Sequence, residues 1–255
     1  MFAGAFQQGI NPFIEPFRIF QGLPFAITLM SILLCHEMGH FIASKAHGVA
    51  VSPPLFIPAP TLLGTFGAFI KMKEMPPSRA AIIDIGAMGP IAGFIVAVPV
   101  WIWGVLHSEF APVASYVNHA SGFSLGSSII VYVTQKTLIG QSGTIYLHPV
   151  GFAAWIGFFV TCLNLIPIGQ LDGGHILYGV LGKKAHRISL LFWTMLLLFG
   201  LSWNGWLVWA ILLSFLGIRH PRNALVETTP LDSKRKALAL TVLAIFTLTF
   251  IPAPF

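Results

Sequence analysis

Two histidines and a glutamate sit where the surrounding sequence calls for lipid. Residues 35–40 read CHEMGH, inside the apolar run LPFAITLMSILLCHEMGHFIASKAHG. His36 and His40 are four apart, so on a helix they share a face one turn from each other. That geometry lets two imidazoles grip one Zn²⁺, and Glu37 lies close enough to act on a water at the metal. An ionisable group at the centre of a membrane helix costs about 2.5–3.5 kcal/mol on the insertion scale. Three polar groups in one span therefore need compensation. A buried His–Glu hydrogen-bond network is the competing reading of this motif alone.

A catalytic zinc usually takes three protein ligands and keeps one position for water. Carboxylates at membrane depth are few. After the first span they are Asp84, near the start of the second, and Asp172, in NLIPIGQLDGGH. Pro167, Gly169, Gly173 and Gly174 break the helix around Asp172. Unwound backbone at membrane depth is tolerated only inside protein or beside a water-filled cavity. A carboxylate there is well placed to coordinate a metal. Depth agrees: His36 lies well into one inward-running span, and Asp172 lies beyond most of another.

The elements that must carry these residues follow from the apolar runs and their breaks. The first span covers about 21–44. The prolines of VSPPLFIPAPTLLGTFGAFIKMKEMPPSR forbid one continuous helix. From Gly64 to Lys73 that stretch is strand-like, with Phe66, Ala68, Ile70 and Met72 on one face. A second span covers about 81–106 and contains GAMGPIAG. Residues 107–146 are ambiguous, and SSIIVYVTQKTLIG within them reads as an interfacial or re-entrant helix. A third span runs from near Pro149 to Leu165, breaks at IPIGQLDGGH, and resumes as a short helix to Leu181. Region 188–217 is too long for one ordinary span, and GLSWNG in its middle predicts a hairpin of two short helices. The last span is about 237–251. The expected fold is an all-α polytopic membrane protein of about six membrane segments, with a small membrane-associated β element and re-entrant loops. It forms one domain over 1–255, with a catalytic core at about 21–182 and C-terminal helices at about 188–251.

Composition agrees. The 255 residues are 56% hydrophobic and 9% charged, with a mean hydropathy of +0.82. A soluble domain carries roughly 25% charged residues, so the chain is expected to be an integral, multi-pass protein within a lipid bilayer. The net charge of +6 does not point to nucleic acid, because the basic residues fall in short clusters between apolar runs. Lys45, Lys71, Lys73 and Arg79 follow the first span, and Lys183, Lys184 and Arg187 follow the third. Arg219, Arg222, Lys234, Arg235 and Lys236 follow the hairpin. A hairpin at 188–217 puts all three clusters on one side and leaves Arg18 and Lys136 for the other. The positive-inside rule makes the crowded side cytoplasmic, with the active site toward that half. The N-terminal segment has no signal-peptide pattern, and without a transit-peptide signature the expected location is a prokaryotic plasma membrane. Cys35 and Cys162 lie in apolar segments and read as small apolar fillers rather than a disulfide framework.

The two motifs together resemble the site-2 protease family of intramembrane zinc metalloproteases. HEMGH matches its HExxH, and NLIPIGQLDGGH matches its Asn-x-x-Pro-x-x-x-Leu-Asp-Gly segment; GTFGAF and GPIAG look like family segments near the active site. The resemblance covers roughly residues 25–182. One departure is Gly93, which stands where many members end a Gly-Pro-x-x-Asn segment in Asn, so positioning by that side chain is absent or replaced. No inserted PDZ or CBS domain is seen. The resemblance implies cleavage of a peptide bond within or beside a transmembrane helix of a single-span membrane protein, in regulated proteolysis. One Zn²⁺ per chain would be held by His36, His40 and Asp172, with Glu37 as general base. By resemblance Asn164 donates to the oxyanion; a helix-end cap is its other reading. The strand-like segment, with Gly67 and Phe69, offers an edge to an extended substrate; a surface hairpin without substrate contact is the alternative.

His175 follows the glycine pair and is a candidate hydrogen-bond partner for Asp172; a helix-start histidine with local bonding competes. His47, His107, His119, His148, His186 and His220 fall at span ends or in loops and are assigned to no metal. Gly86, Gly89 and Gly93 read as small residues for close helix packing, and the seven tryptophans mostly as an aromatic belt. A metal-ion transporter is the rival function, but its path needs successive sites and the acids here are few and clustered. An inactive helix-binding relative is the third reading, opposed by the intact His36, Glu37, His40 and Asp172. Homo-oligomerisation is left open.

Overall fold

Proline, glycine and short polar residues punctuate the apolar runs, and the helices start and stop on them. The computed structural model describes residues 1–58, 65–111, 125–140, 144–221 and 229–255, with backbone alone for 57–58, 65–69, 110–111 and 144. Nine α-helices are described: α1 (Phe2–Gln7), α2 (Leu23–Ala46), α3 (Arg79–Leu106), α4 (Ile129–Ile139), α5 (Pro149–Leu165), α6 (Asp172–Leu181), α7 (Ala185–Phe199), α8 (Asn204–Leu216) and α9 (Ser233–Thr249). Pro149 opens α5, where a missing N–H costs nothing. Side-chain oxygens of Ser78, Ser128 and Asp232 cap α3, α4 and α9 by accepting from the backbone N–H of Ala81, Val131 and Arg235. Two antiparallel strand pairs complete the described residues. Strand β1 (Leu55–Pro58) pairs with β2 (Thr65–Phe69), Leu55 opposite Phe69, and β3 (Glu109–Ala111) pairs with β4 (Thr144–Tyr146).

The core lies between α2, α3 and α5. Phe25, Leu29 and Ile32 of α2 meet Ala97, Trp101 and Val105 of α3 and Phe152, Trp155 and Phe158 of α5. The α7–α8 hairpin seals one side: Leu196, Trp206, Ala210 and Leu213 pack on Ile166 and Ile168, just after α5. Helix α9 lays Val242 and Ile245 against Ala87, Leu165 and Ile176.

One end of the bundle gathers the charges. His47, just past α2, donates from Nε2 to Asp84 near the start of α3 (2.8 Å), and Arg235 of α9 donates to the same carboxylate through Nε (2.9 Å) and Nη2. Arg79 bonds the Gly179 and Val180 carbonyls at the end of α6 (2.5 and 2.6 Å). Arg219, past α8, donates to His186 at the start of α7 (3.0 Å). The end of α2, the start of α3, the end of α6, both feet of the α7–α8 hairpin and the start of α9 thus share one side, as the charge pattern requires.

The expected break after Leu165, the short helix to Leu181 and the hairpin with its turn at 200–203 are all present. Of the strand expected over 64–73, residues 65–69 form β2, continued by a bridge between Val51 and Met72, and Gly64 lies outside the described residues; its partner β1 lies in the proline-rich stretch, with Pro53 and Pro54 before the strand and Pro58 at its end. Helix α4 has 11 residues, about half of what a span needs. Other expectations change. Among the described residues, only α2, extended by a 3₁₀ segment from Pro16, and α3 are long and apolar enough to cross a membrane, by length and composition. Helices α5, α7, α8 and α9 have 17, 15, 13 and 17 residues, so six full-length spans are not seen. Helix α9 starts earlier than the apolar pattern indicates, because the Asp232 cap precedes the basic first turn, and stops at Thr249 because Pro252 disfavours helical backbone before it. Trp101, Trp155 and Trp206 are buried within the protein, so for these three the aromatic belt is replaced by core packing. The pairing of β3 with β4 had no clear signal in residues 107–146.

Candidate active site

His36 and His40 turn one face of α2 toward α3 and α6. Nε2 of His36 lies 3.2 Å from Asp172 Oδ2, Nε2 of His40 lies 3.3 Å from the same oxygen, and the two Nε2 atoms are 3.2 Å apart. Zinc–donor bonds of about 2.0–2.2 Å place neighbouring donors of a tetrahedral site roughly 3.3–3.6 Å apart, so the triangle has nearly the size of one face of such a site.

The hydrogen bonds bear on what such a triangle could hold. His40 Nδ1 lies 2.7 Å from the carbonyl oxygen of Ile85. A carbonyl only accepts, so Nδ1 carries the hydrogen, and in its neutral form the ring would turn a bare Nε2 lone pair toward a carboxylate oxygen and a second imidazole. Lone pairs converging at these distances repel unless a proton or a metal cation lies among them. Two imidazoles and one carboxylate are a donor set suited to zinc. The residues present fit the metal.

Asp172 reaches this position because α5 stops short. Leu165 ends that helix, Ile166 is extended, and Gly169 adopts φ +56°, in the left-handed region that favours glycine. Asp172 then opens α6. The two glycines that follow let α6 start directly against the end of α5: a Cβ at Gly173 would overlap the Leu165 carbonyl, and one at Gly174 the Gly169 carbonyl. On the facing helix, a Cβ at Gly89 would overlap the His40 imidazole, and one at Gly93 would lie 3.2 Å from His36 Nδ1. The glycines of GAMGPIAG do pack helices closely, and two of them make room for the histidine rings.

A cavity of about 530 Å³ opens onto the triangle. Glu37, Asn164, Gln170 and His175 line it with the three donors, and so do Ile70, Lys71 and Met72, which follow β2 directly. Neither Glu37 nor Asn164 makes a side-chain hydrogen bond with another described residue, so Asn164 is not a helix-end cap among them. The backbone of Gly67 and Phe69 lies in β2, and their side chains lie outside the described residues. Asp84, the other carboxylate at this depth, is taken up by His47 and Arg235. His175 bonds not to Asp172 but to His220: its Nδ1 lies 2.7 Å from His220 Nε2. The carbonyl of Ile85, the ring space at Gly89 and the partner at His220 were missed by sequence reasoning. Only Gly89 had a signal, its place in the glycine spacing, and that signal speaks of packing in general.

A helix-borne His-Glu-x-x-His with a carboxylate brought in from a broken second helix defines a metalloprotease-like centre inside an apolar bundle. The profile of Peptidase family M50 matches residues 24–201, and the chain belongs to that family, the site-2 proteases, which are integral to membranes. It is similar to "Probable zinc metalloprotease EGY1, chloroplastic" of Arabidopsis thaliana, 31% identical over 248 residues that make up 95% of this chain and 44% of that protein. The protein of the same name from Oryza sativa subsp. japonica is 36% identical over 182 residues, 70% of this chain and 30% of that one. "Probable zinc metalloprotease EGY2, chloroplastic" of Arabidopsis thaliana is 32% identical over 241 residues, 92% and 42% of the two chains. The chain spans less than half the length of these relatives. No solved structure gives a significant match.

Proposed function

We propose that the chain is a zinc endopeptidase that cuts a peptide bond within or beside the membrane segment of a single-span protein. The observation that carries this reading is the triangle of His36, His40 and Asp172 donors opening onto a cavity that Glu37 also lines, its carboxylate without a side-chain hydrogen bond among the described residues. Membership of the M50 family and the zinc metalloprotease names of the relatives support it. His36, His40 and Asp172 would hold the ion, which when bound supplies a Lewis acid for the scissile carbonyl and brings the pKa of a water toward 7.

Glu37 accepts the proton of the attacking water and returns it to the leaving amine. Asn164, in the last turn of α5, donates an amide N–H to the oxygen that gains charge. A transmembrane helix has its own carbonyls bonded internally, so it must be drawn out before its backbone can react. Strand β2 leads straight into the cavity-lining Ile70–Met72, and an extended substrate segment pairs with its edge along Gly67 to Phe69. The whole forms one domain, with α7–α9 completing the wall around the core.

The charged end of the bundle faces the cytoplasm by the positive-inside rule, and α5–α9 sit in the bilayer as short or tilted segments packed on α2 and α3. The bilayer is taken as a prokaryotic plasma membrane; the relatives named above are chloroplastic, and the chemistry is the same in either.

The test is Glu37→Gln in the full chain, reconstituted with a single-span reporter. Zinc should stay bound, and cleavage should fall by about 10²–10⁴-fold. Cleavage at the unmodified rate would remove the general base from the account.

A further inference from the structure

His220 lies in the linker after α8, 45 residues from His175, yet their imidazoles share a hydrogen bond of 2.7 Å. The other nitrogen of His220, Nδ1, lies 2.6 Å from the carbonyl of Pro221. That carbonyl can only accept, so Nδ1 of His220 carries the hydrogen. Burial pushes the imidazolium of His220 below the ordinary histidine range, so the ring is neutral at pH 7 and its Nε2 accepts. The shared bond is therefore donated by Nδ1–H of His175.

Further contacts make this bond part of a clamp. The His220 ring stacks on Tyr178, one turn further along α6, with centroids 4.3 Å apart and planes at 11°. Before Asp172, the backbone of Gly169 packs so closely on the Gly217 carbonyl that a Cβ would overlap it, and Gln170 Nε2 donates to the Leu216 carbonyl (3.3 Å). The end of α8 and the linker after it thus touch the chain on both sides of Asp172: at Gln170 and Gly169 before it, at His175 and Tyr178 after it.

We propose that His220 is a positioning residue for the site: by accepting from His175 it holds the linker after α8 against the turn that presents Asp172, and so sets where that carboxylate meets His36 and His40. The purpose of the clamp rests on the zinc reading above; the bond itself does not. Outer-shell partners of this kind are typically worth about 10–100-fold in metal affinity or activity.

Two variants separate the hydrogen bond from the packing. His220→Phe keeps a ring to stack on Tyr178 and loses the acceptor; His220→Gln loses the ring and keeps an acceptor oxygen. Zinc affinity is measured by chelator competition on the purified full chain, with the folded fraction of each variant matched by gel filtration. The expected order is unmodified chain, then His220→Gln close behind, then His220→Phe weaker by about tenfold or more. Affinity for His220→Phe equal to the unmodified chain, or His220→Gln as weak as His220→Phe, overturns the proposal. A second measurement needs no variant of uncertain folding: imidazole ¹⁵N shifts of the unmodified chain should report His175 and His220 as neutral Nδ1–H tautomers. An Nε2–H tautomer for His220 overturns the clamp by itself. An unmodified chain without zinc affinity would instead sink the zinc reading, with the tautomers still deciding the bond.

Discussion

Nε2 of His36 and Oδ2 of Asp172 lie 3.2 Å apart although 136 residues separate them in the chain. One atom rides on an unbroken helix and the other on the first residue of a helix that begins only because its predecessor broke. The break, the two glycines behind Asp172 and the linker in front of it are the means by which a carboxylate is delivered to a pair of histidines inside an apolar bundle.

Gly89 must stay without a side chain. Gly89→Ala drives a methyl into the His40 imidazole, which can yield only by swinging away from the Ile85 carbonyl and the other two donors. Zinc affinity should drop beyond the roughly 10–100-fold expected for an outer-shell loss. Gly104→Ala is the control: its Cβ would collide with the Gly151 backbone, in the α3–α5 contact remote from the donors. That variant should melt earlier and keep its zinc. Equal zinc affinity in both would mean that the space beside His40 has no bearing on the metal.

Phe69→Pro removes a backbone N–H from β2 and restricts the chain there. Cleavage of a single-span reporter should be abolished while zinc content stays at the level of the unmodified chain, since no donor lies in the hairpin. Full activity in this variant would dismiss the strand from substrate binding.

Acid should loosen the linker. The folded-state pKa of His220 is depressed by burial, so its stabilising effect is complete above the unfolded histidine value of about 6.5 and is lost as pH falls through the lower folded value. His148, which accepts from the Val150 N–H at the start of α5 (3.2 Å), is depressed first by burial and then by the charge of His107, and adds an effect of the same sign. Melting temperature should therefore fall as pH drops below about 6.5, and less steeply in His220→Gln. Parallel curves for the two proteins would exclude His220 as a contributor.

The parts of the fold with a periodic or punctuated signal were legible in the sequence. HEMGH placed its histidines on one helix face by spacing alone, and the proline and glycines around Asp172 announced a break that only a cavity or protein interior would tolerate. Asp172 was legible as the candidate third donor because so few acids occur at that depth. What stayed hidden depends on tertiary approach. The bond from His40 to Ile85 uses a backbone carbonyl, which no residue type marks. His220 sits in RHPR, with nothing local to connect it to α6. The partner of β2 was obscured because prolines argue against a helix without saying which residues pair. The length of the spans misled in another way: hydropathy marks which residues leave water, and it cannot distinguish a lipid-facing segment from a short helix packed against protein, as Trp155 and Trp206 illustrate.

The central claim is that three donors from two distant segments share one zinc ion. X-ray absorption at the zinc edge, with metal content per chain, addresses it directly in the purified protein and in Asp172→Ala. The account predicts one zinc per chain with two imidazole nitrogens and oxygen donors at about 2.0–2.2 Å, and a loss of that zinc in Asp172→Ala. Full zinc content with an unchanged spectrum after removal of the carboxylate would contradict it.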